Sequence, residues 1–201
     1  DSAQELRKNQ FKEQANDKDL MIFSFYPTKP VGSVDGGMIV SNDKQKIERL
    51  KVLSRYGMTS SNNSWERKII LPGWKMYMNS IQADIATRNL SLLEEKLESL
   101  AVIRERYNSA FDYSNDSDHL YRIRVKNRDN FIDAMTNSDI QCGIHYKSVH
   151  EIECYKPLKI TNLEKTKIES KQTVSIPYHE KLTSEQISHI ISEVRKHADF
   201  A

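Results

Sequence analysis

The chain has 201 residues, 38% of them hydrophobic, and a formal net charge of +2. A chain of this length can bury a core without disulfides, so intrinsic disorder is not expected. The basic residues are scattered and do not form the dense stripe of a nucleic-acid groove. No apolar run approaches the roughly 18 residues of a membrane span, and the first five residues are unlike a signal peptide. The composition therefore excludes nucleic-acid and membrane partners and indicates a soluble, cytoplasmic protein.

The two cysteines, Cys142 and Cys154, do not indicate a metal site. They lack the close spacing of a metal knuckle and the density of a secreted disulfide scaffold. We therefore expect two free thiols and no bound metal.

The first 57 residues are predicted to contain a strand, a turn, a second strand and a helix. Apolar runs at residues 21–26 and 38–41 predict two strands separated by a glycine turn. Either Asn42 or Asp43 can cap the helix that follows, and this helix is expected to end near Gly57.

The middle of the chain changes from an irregular segment to a long helical pattern. Residues 58–77 are long for a simple connection, and such segments are usually functional or disordered. From Met78 to Tyr107, apolar residues recur every three or four positions. This pattern predicts a long helix with a break near Ser91 or Ser99.

After a polar loop at residues 115–118, strands and helices alternate. Phe131 and Met135 face inward from one predicted helix, and Thr183 with Gln186 forms a capping box for the last one. The predicted strands span residues 119–125, 140–146 and 174–177. We therefore place a boundary near residue 115, between an α/β part and a compact α+β part.

One lysine, Lys29, follows an apolar strand and lies between Pro27 and Pro30. The prolines restrict the backbone to a defined turn. A neutral amine held there can attack a carbonyl group. The alternative is a surface lysine in a polar loop, and placement alone favours this alternative.

The longer sequence around this lysine resembles that of a known family. Residues 24–29 (SFYPTK), followed by residues 36–43 (GGMIVSND), are similar to the signature of the DegT/DnrJ/EryC1/StrS sugar aminotransferases. Further segments similar to family motifs occur in order along the chain, at residues 1–4, 72–79, 143–146, 175–177 and 182–183. The resemblance covers essentially the whole chain and outweighs the reading of Lys29 as a surface residue.

The resemblance implies an α/β protein of the PLP-dependent transferase fold type I. It implies a partial PLP-binding large domain at residues 1–77, a long helical connection at 78–114 and an α+β C-terminal small domain at 115–201. Family members are longer and carry a glycine-containing phosphate loop before the segment matched by Asp1. We therefore expect this chain to be the C-terminal portion of a larger enzyme, incomplete when alone.

The resemblance also implies a pyridoxal 5′-phosphate site. Lys29 corresponds to the residue that tethers the cofactor and acts as general acid and base. Asp1 corresponds to the carboxylate that pairs with the pyridinium nitrogen, and Gln4 to a residue near the phenolic oxygen. Ser24 corresponds to a hydroxyl donor to the phosphate. Lys75 lies in a loop that reaches across a dimer interface, towards the partner's cofactor phosphate.

Three residues of the small domain match positions that approach the sugar: His145, Tyr146 and His150. A packed histidine is nearly as good an interpretation of the two histidines. The implied partners are a nucleotide-linked keto-sugar, glutamate and a second copy in a homodimer with shared active sites. Relatives that catalyse sugar 3-dehydration have histidine at the position of Lys29, so the lysine argues against that reaction.

The expected function is transfer of an amino group from glutamate to a nucleotide-linked keto-deoxysugar in amino-sugar biosynthesis. One alternative is a non-catalytic fragment or degenerate relative that serves as a dimerisation or binding module. A second alternative is an aminotransferase that acts on a keto-cyclitol.

Overall fold

The computed structural model describes residues 1–157 and 162–201. These residues form two compact units, Asp1–Glu94 and Glu95–Ala201. The division of the sequence at residues 77 and 114 stays a prediction.

The N-terminal unit combines a two-stranded sheet with helices. The two strands are antiparallel, with Met21 opposite Val40 and Ser24 opposite Gly37. Its elements are α1 (Gln10–Gln14), β1 (Met21–Ser24), β2 (Gly37–Val40), α2 (Lys44–Ser54), a 3₁₀ turn (Ser64–Glu66) and α3 (Ser80–Ser91).

Strand β1 is shorter than the predicted strand at residues 21–26, and only alternate residues of its apolar run are buried. Met21 and Phe23 are buried, whereas Ile22 between them is exposed. Phe25 extends the pairing by one hydrogen bond, since its N–H donates to Gly36 O at 2.9 Å. Its own carbonyl oxygen accepts from Ser33 N–H at 2.8 Å instead of from the opposite strand, and the strand ends at Ser24 although the apolar run continues.

Helix α2 begins and ends as the sequence predicts. The Asp43 side chain accepts a hydrogen bond from Lys46 N at 3.1 Å and is therefore the N-cap. After the helix, Tyr56 and Gly57 have φ angles of 60° and 73° and reverse the chain. A Cβ atom on Gly57 would lie 1.7 Å from Leu71 O, so only glycine fits this close approach.

The predicted long helix is broken at the first of the two proposed sites. Helix α3 ends at Ser91, and α4 (Leu93–Phe111) begins after Leu92, whose φ and ψ are −100° and 3°. At the second site, Ser99 Oγ donates to Glu95 O within α4, and the helix continues. The break near Ser91 is confirmed.

The C-terminal unit packs helices against a second antiparallel pair of strands. Tyr121 lies opposite Ile176 in this pair. Besides the rest of α4, the elements are β3 (Tyr121–Arg124), α5 (Arg128–Asn137), α6 (Glu164–Gln172), β4 (Thr173–Ile176) and α7 (Ser184–His197), with 3₁₀ turns at Val149–Glu151 and Glu153–Tyr155. The predicted capping box of α7 is confirmed, and the helix buries Ile187, Ile190 and Val194.

The predicted strand at residues 140–146 is wrong. This segment pairs with β4 only once, where Gly143 and Ser175 exchange N–H···O bonds of 2.9 and 2.7 Å. Gly143 offers no side chain to a sheet, and Ile144 and Tyr146 on either side of His145 are exposed. Ile140 is buried in the core and Cys142 packs against it, so apolar contacts hold the first half of the segment while only Gly143 pairs with β4.

The core of the C-terminal unit is rich in aromatic rings. Tyr107 and Tyr121 are fully buried, with ring centroids 5.0 Å apart in an edge-to-face arrangement. Their hydroxyl groups are satisfied by Pro177 O at 3.0 Å and Asn108 Oδ1 at 2.7 Å. Across residues 1–157 and 162–201, no helix has the length and apolarity needed to span a membrane.

Both cysteines are free thiols, as predicted. Burial raises the pKa of the Cys142 thiol to about 11, whereas Cys154 is exposed. Because the thiolate is the reactive form, only about one Cys142 thiol in a thousand is reactive at pH 8.

We expect iodoacetamide at pH 8 to label Cys154 and to leave Cys142 largely unmodified, as measured by peptide mass spectrometry. Labelling of Cys142 should increase as the pH approaches 11, and equal rates for both thiols at pH 8 would contradict its burial.

Candidate active site

The loop that carries Lys29 is closed by its own main chain. Lys29 N–H donates to Tyr26 O at 2.9 Å, which forms a tight turn after β1. Ser33 N–H donates to Phe25 O at 2.8 Å, and Phe25 N–H donates to Gly36 O at 2.9 Å. These bonds fix the backbone of the lysine in space.

Helix α3 and a buried side chain hold this loop from outside. Val31 is 1% exposed, so the loop is packed into the N-terminal unit. Ser33 Oγ donates to Gln82 O at 2.8 Å, and Asn89 Nδ2 donates to Gly32 O. The lysine side chain itself is half-buried and has no hydrogen bond or ion pair among the described residues. Its amine is therefore free to bind a cofactor.

Ser24, the last residue of β1, lies five positions before Lys29. Its hydroxyl oxygen accepts a hydrogen bond from Tyr26 N–H at 3.3 Å. Since the hydroxyl proton is not used in this contact, it can donate to an anionic group.

The segment that carries Asp1 and Gln4 is attached to the same strand. Ser2 N–H donates to Ile22 O at 2.9 Å, which places the start of the chain along β1. One carboxylate oxygen of Asp1 accepts from Ala3 N–H at 2.9 Å, and the side chain is exposed. Gln4 is half-buried. The Asp1 segment is thus bonded to β1, Ser24 is the last residue of this strand, and Lys29 lies in the loop that follows it.

A buried glutamine that sequence reasoning missed holds this N-terminal segment. Gln10 is 3% exposed; its Nε2 donates to Ser2 Oγ at 3.1 Å, and its Oε1 accepts from Arg7 N–H at 3.0 Å. It therefore fixes the backbone next to Asp1. Gln10 lies in a polar stretch without periodic apolar residues, so no sequence signal marks its burial.

The side chains along β1 have the chemistry that pyridoxal phosphate requires. Lys29 offers a free amine to the aldehyde, and Ser24 offers a hydroxyl donor to the phosphate. Asp1 offers a carboxylate oxygen, the group that stabilises a protonated pyridine nitrogen. The donor set therefore fits this cofactor.

Lys75 lies on a separate segment of the N-terminal unit. It forms a bridge with Arg55, and the neighbouring Trp74 N–H donates to Leu53 O at 2.8 Å. Its ammonium group is exposed and lies 6.0 Å from the ring centroid of Tyr77. Within the described residues, no hydrogen bond connects Lys75 to the Lys29 loop.

In the C-terminal unit, His145 is packed and Tyr146 is exposed. His145 Nδ1 lies 2.9 Å from Ser175 Oγ, and its ring meets the Tyr146 ring edge-on at 5.2 Å between centroids. Tyr146 is 65% exposed and can reach a ligand more readily than the histidine.

His150 lies in the 3₁₀ turn at residues 149–151, beside Glu151. The Ser170 hydroxyl donates to this carboxylate at 2.8 Å, which holds the pKa of Glu151 below its usual range. The negative charge next to His150 is thus maintained at neutral pH.

The whole pattern of elements and motifs has a match among known proteins. Residues 9–195 match the DegT/DnrJ/EryC1/StrS aminotransferase family. The chain belongs to this family, as its motifs predict.

Individual relatives support the same assignment. The chain is 27% identical over 185 residues to a UDP-4-amino-4,6-dideoxy-N-acetyl-beta-L-altrosamine transaminase from Campylobacter jejuni subsp. jejuni serotype O:23/36 (strain 81-176), covering 82% of this chain and 48% of the relative. It is 27% identical over 206 residues to the spore coat polysaccharide biosynthesis protein SpsC of Bacillus subtilis (strain 168), covering 88% and 53%. The chain thus spans about half the length of these relatives.

Solved structures confirm the predicted fold class. The PMP form of the sugar aminotransferase Spr1654 from Streptococcus pneumoniae superposes with a TM-score of 0.78 at 25% identity. The match covers 89% of this chain and 51% of that structure.

The Ser33 hydroxyl should control the rigidity of the Lys29 loop. In Ser33→Ala, loss of the hydrogen bond to Gln82 should cost about 1 kcal/mol and raise amide exchange at residues 29–33 about three- to tenfold. Hydrogen–deuterium exchange with mass spectrometry measures this effect. Ser91→Ala is a suitable control, because Ser91 Oγ donates only to Arg88 O in its own helix. Unchanged exchange in Ser33→Ala would show that Val31 and Asn89 suffice to hold the loop.

Proposed function

We propose that the complete protein is a pyridoxal-phosphate-dependent aminotransferase. It transfers an amino group from glutamate to a nucleotide-linked keto-deoxysugar in amino-sugar biosynthesis, in the cytoplasm. The observation that carries the proposal is the Lys29 loop, which holds a free amine on a fixed backbone.

Each residue along β1 has a separate task in this proposal. The cofactor, when bound, supplies the sink for electrons released from the substrate carbon. Lys29 Nζ holds the cofactor and moves a proton to and from that carbon as a general acid and base. Asp1 accepts the N–H of the pyridine ring and thereby keeps the ring nitrogen charged. Ser24 orients the phosphate by donating its hydroxyl proton.

The names of the relatives support the substrate class. The Campylobacter relative is a transaminase of a UDP-linked amino sugar, and SpsC takes part in polysaccharide biosynthesis. The Streptococcus structure is named as a putative sugar aminotransferase in its PMP form. These relatives favour a keto-sugar over a keto-cyclitol as the acceptor.

Replacement of Lys29 by alanine tests the proposal. In the complete protein, Lys29→Ala should lose the yellow colour of bound pyridoxal phosphate and at least about 1,000-fold of the glutamate-dependent formation of 2-oxoglutarate. Borohydride reduction followed by peptide mass spectrometry should find the cofactor on Lys29 of the unaltered protein.

Lys12→Ala is a matched control because Lys12 is an exposed lysine on α1. It should retain both the colour and the activity. A cofactor adduct on another lysine, or full activity in Lys29→Ala, would overturn the assignment. Cofactor binding without any transfer would instead support the non-catalytic alternative.

The proposed enzyme is a homodimer with shared active sites. Residues 65–76 expose several large apolar side chains, including Trp65 at 81%, Ile69 at 71% and Met76 at 69%. Such a patch usually marks a protein contact surface. Lys75 lies within this segment, so its cation is available to the cofactor phosphate of a partner subunit.

A charge placed in this patch should separate the subunits. We expect Ile69→Glu to shift the complete protein from dimer to monomer and to raise the dissociation constant at least about 100-fold, because it buries an unpaired carboxylate. Sedimentation velocity measures the change. Ile168→Glu is the control, since Ile168 is also exposed but lies on α6. A dimer that tolerates Ile69→Glu would exclude this patch as the interface.

A further inference from the structure

A cavity of about 330 Å³ lies where α2 ends. Its wall includes two arginines, Arg55 and Arg67, the two tyrosines Tyr56 and Tyr77, and the hydroxyl-bearing Ser60. All five side chains carry hydrogen-bond donors. Arg55 lies at the end of α2, and Arg67 lies in the irregular segment at residues 58–77. The sequence pattern did not indicate that these two arginines line one cavity.

In the part of the chain that the structure describes, the two guanidinium groups of the cavity have no ion-pair partner. Neither Arg55 nor Arg67 has an ion pair within residues 1–157 and 162–201. The neighbouring Glu66 carboxylate instead accepts hydrogen bonds from Asn63 Nδ2 and Ser61 Oγ at 2.9 Å each. These hydrogen bonds lower the pKa of Glu66 without neutralising the arginines. The cavity therefore holds two arginines that have no ion-pair partner among the described residues.

The backbone that forms the cavity wall is held in an unfavourable conformation. Tyr56 has a φ of 60°, and every other described non-glycine residue with positive φ is Asn or Asp, which tolerate it better. Tyr56 N–H donates to Trp74 O at 3.0 Å, and Gly57 O accepts from Ile70 N–H at 2.9 Å. The surrounding structure thus maintains the strained residue at the cavity, as often occurs at binding sites.

We propose that this cavity binds the diphosphate group of the nucleotide-linked substrate. The inference rests on the proposed function and names a subsite for it. A guanidinium group can bind a phosphate through two parallel N–H···O bonds, and two such groups match two linked phosphoryl groups. Tyr56, Tyr77 and Ser60 can donate further hydrogen bonds. The single phosphate of the cofactor has the same chemistry but half as many phosphoryl groups. The test therefore measures binding of the diphosphate and of the cofactor phosphate separately.

Calorimetric titration of the complete protein tests this subsite with three probes: UDP, inorganic pyrophosphate and pyridoxal phosphate. We expect Arg55→Gln and Arg67→Gln each to weaken binding of UDP and pyrophosphate at least about tenfold. Their affinity for pyridoxal phosphate should stay within about twofold of the unaltered protein, because none of the residues proposed to contact the cofactor lines the cavity. Added salt should weaken UDP binding less in the variants, since fewer charges take part.

Two further variants control the experiment. Arg49→Gln removes an exposed arginine of α2 outside the cavity and should leave all three affinities unchanged. Arg55→Lys retains the charge but not the bidentate geometry, so its UDP affinity should lie between those of the unaltered protein and Arg55→Gln. Thermal melting establishes that each variant is folded before titration.

Several results would overturn the inference. These are no UDP binding by the unaltered protein, unchanged UDP binding in both glutamine variants, or a loss confined to pyridoxal phosphate. The glutamate half-reaction, measured on the same samples, reports the proposed function independently. If that half-reaction proceeds and UDP does not bind, the subsite is wrong and the aminotransferase assignment stands.

Discussion

The closure of the loop between β1 and β2 is the constraint on which the candidate site depends. Phe25 bonds to both Gly36 and Ser33 through its main chain, so the loop returns to its own base. Gly32 permits this return, because a Cβ atom there would lie 2.3 Å from Pro27 O. The position of Lys29 is therefore set by the residues around it, while its amine is left free for chemistry.

The two units differ in how completely they bury their apolar side chains. In the C-terminal unit, β3, β4 and the helices enclose a contiguous core in which Tyr107, Tyr121 and Phe131 are fully buried. In the N-terminal unit, the paired residues Ile22 and Ile39 on the sheet are 48% and 41% exposed. A two-stranded sheet is marginally stable in isolation, and an exposed apolar face usually marks a contact surface. The exposed apolar face of this sheet is thus typical of a surface that contacts other protein.

The elements that could be predicted from sequence are those with strong local signals. Asp43 caps α2 through its own side chain, and Thr183 with Gln186 caps α7, so short motifs sufficed there. Helix α6 was not predicted, because its sequence has one apolar residue, the exposed Ile168, and therefore no apolar stripe. The segment at residues 140–146 alternates in sequence, but its pairing depends on a distant strand that contacts it only once.

The sequence likewise indicated some residues of the candidate site and did not indicate others. The resemblance of residues 24–29 to a family motif identified Lys29 and Ser24 as candidates. They did not reveal that Ser33 and Gln10 hold the backbone around the site, since both act through partners that only the tertiary structure brings close. Residues that hold the backbone through tertiary contacts therefore cannot be predicted from one sequence, whereas the candidates for chemistry were found through a local motif.

The arginine cavity and Lys75 share one piece of backbone. Met76 N–H donates to Ser54 O at 2.9 Å, and Arg55 and Lys75 bridge directly, so the register between the end of α2 and the Lys75 segment is fixed. The two cations therefore occupy one surface, and each raises the local potential that attracts an anion to the other. A change at Arg55 acts on both phosphate-binding proposals through this potential, but its hydrogen bonds serve only the group in the cavity. Affinity that depends on guanidinium geometry, and not on charge alone, therefore separates the diphosphate subsite from the cofactor phosphate.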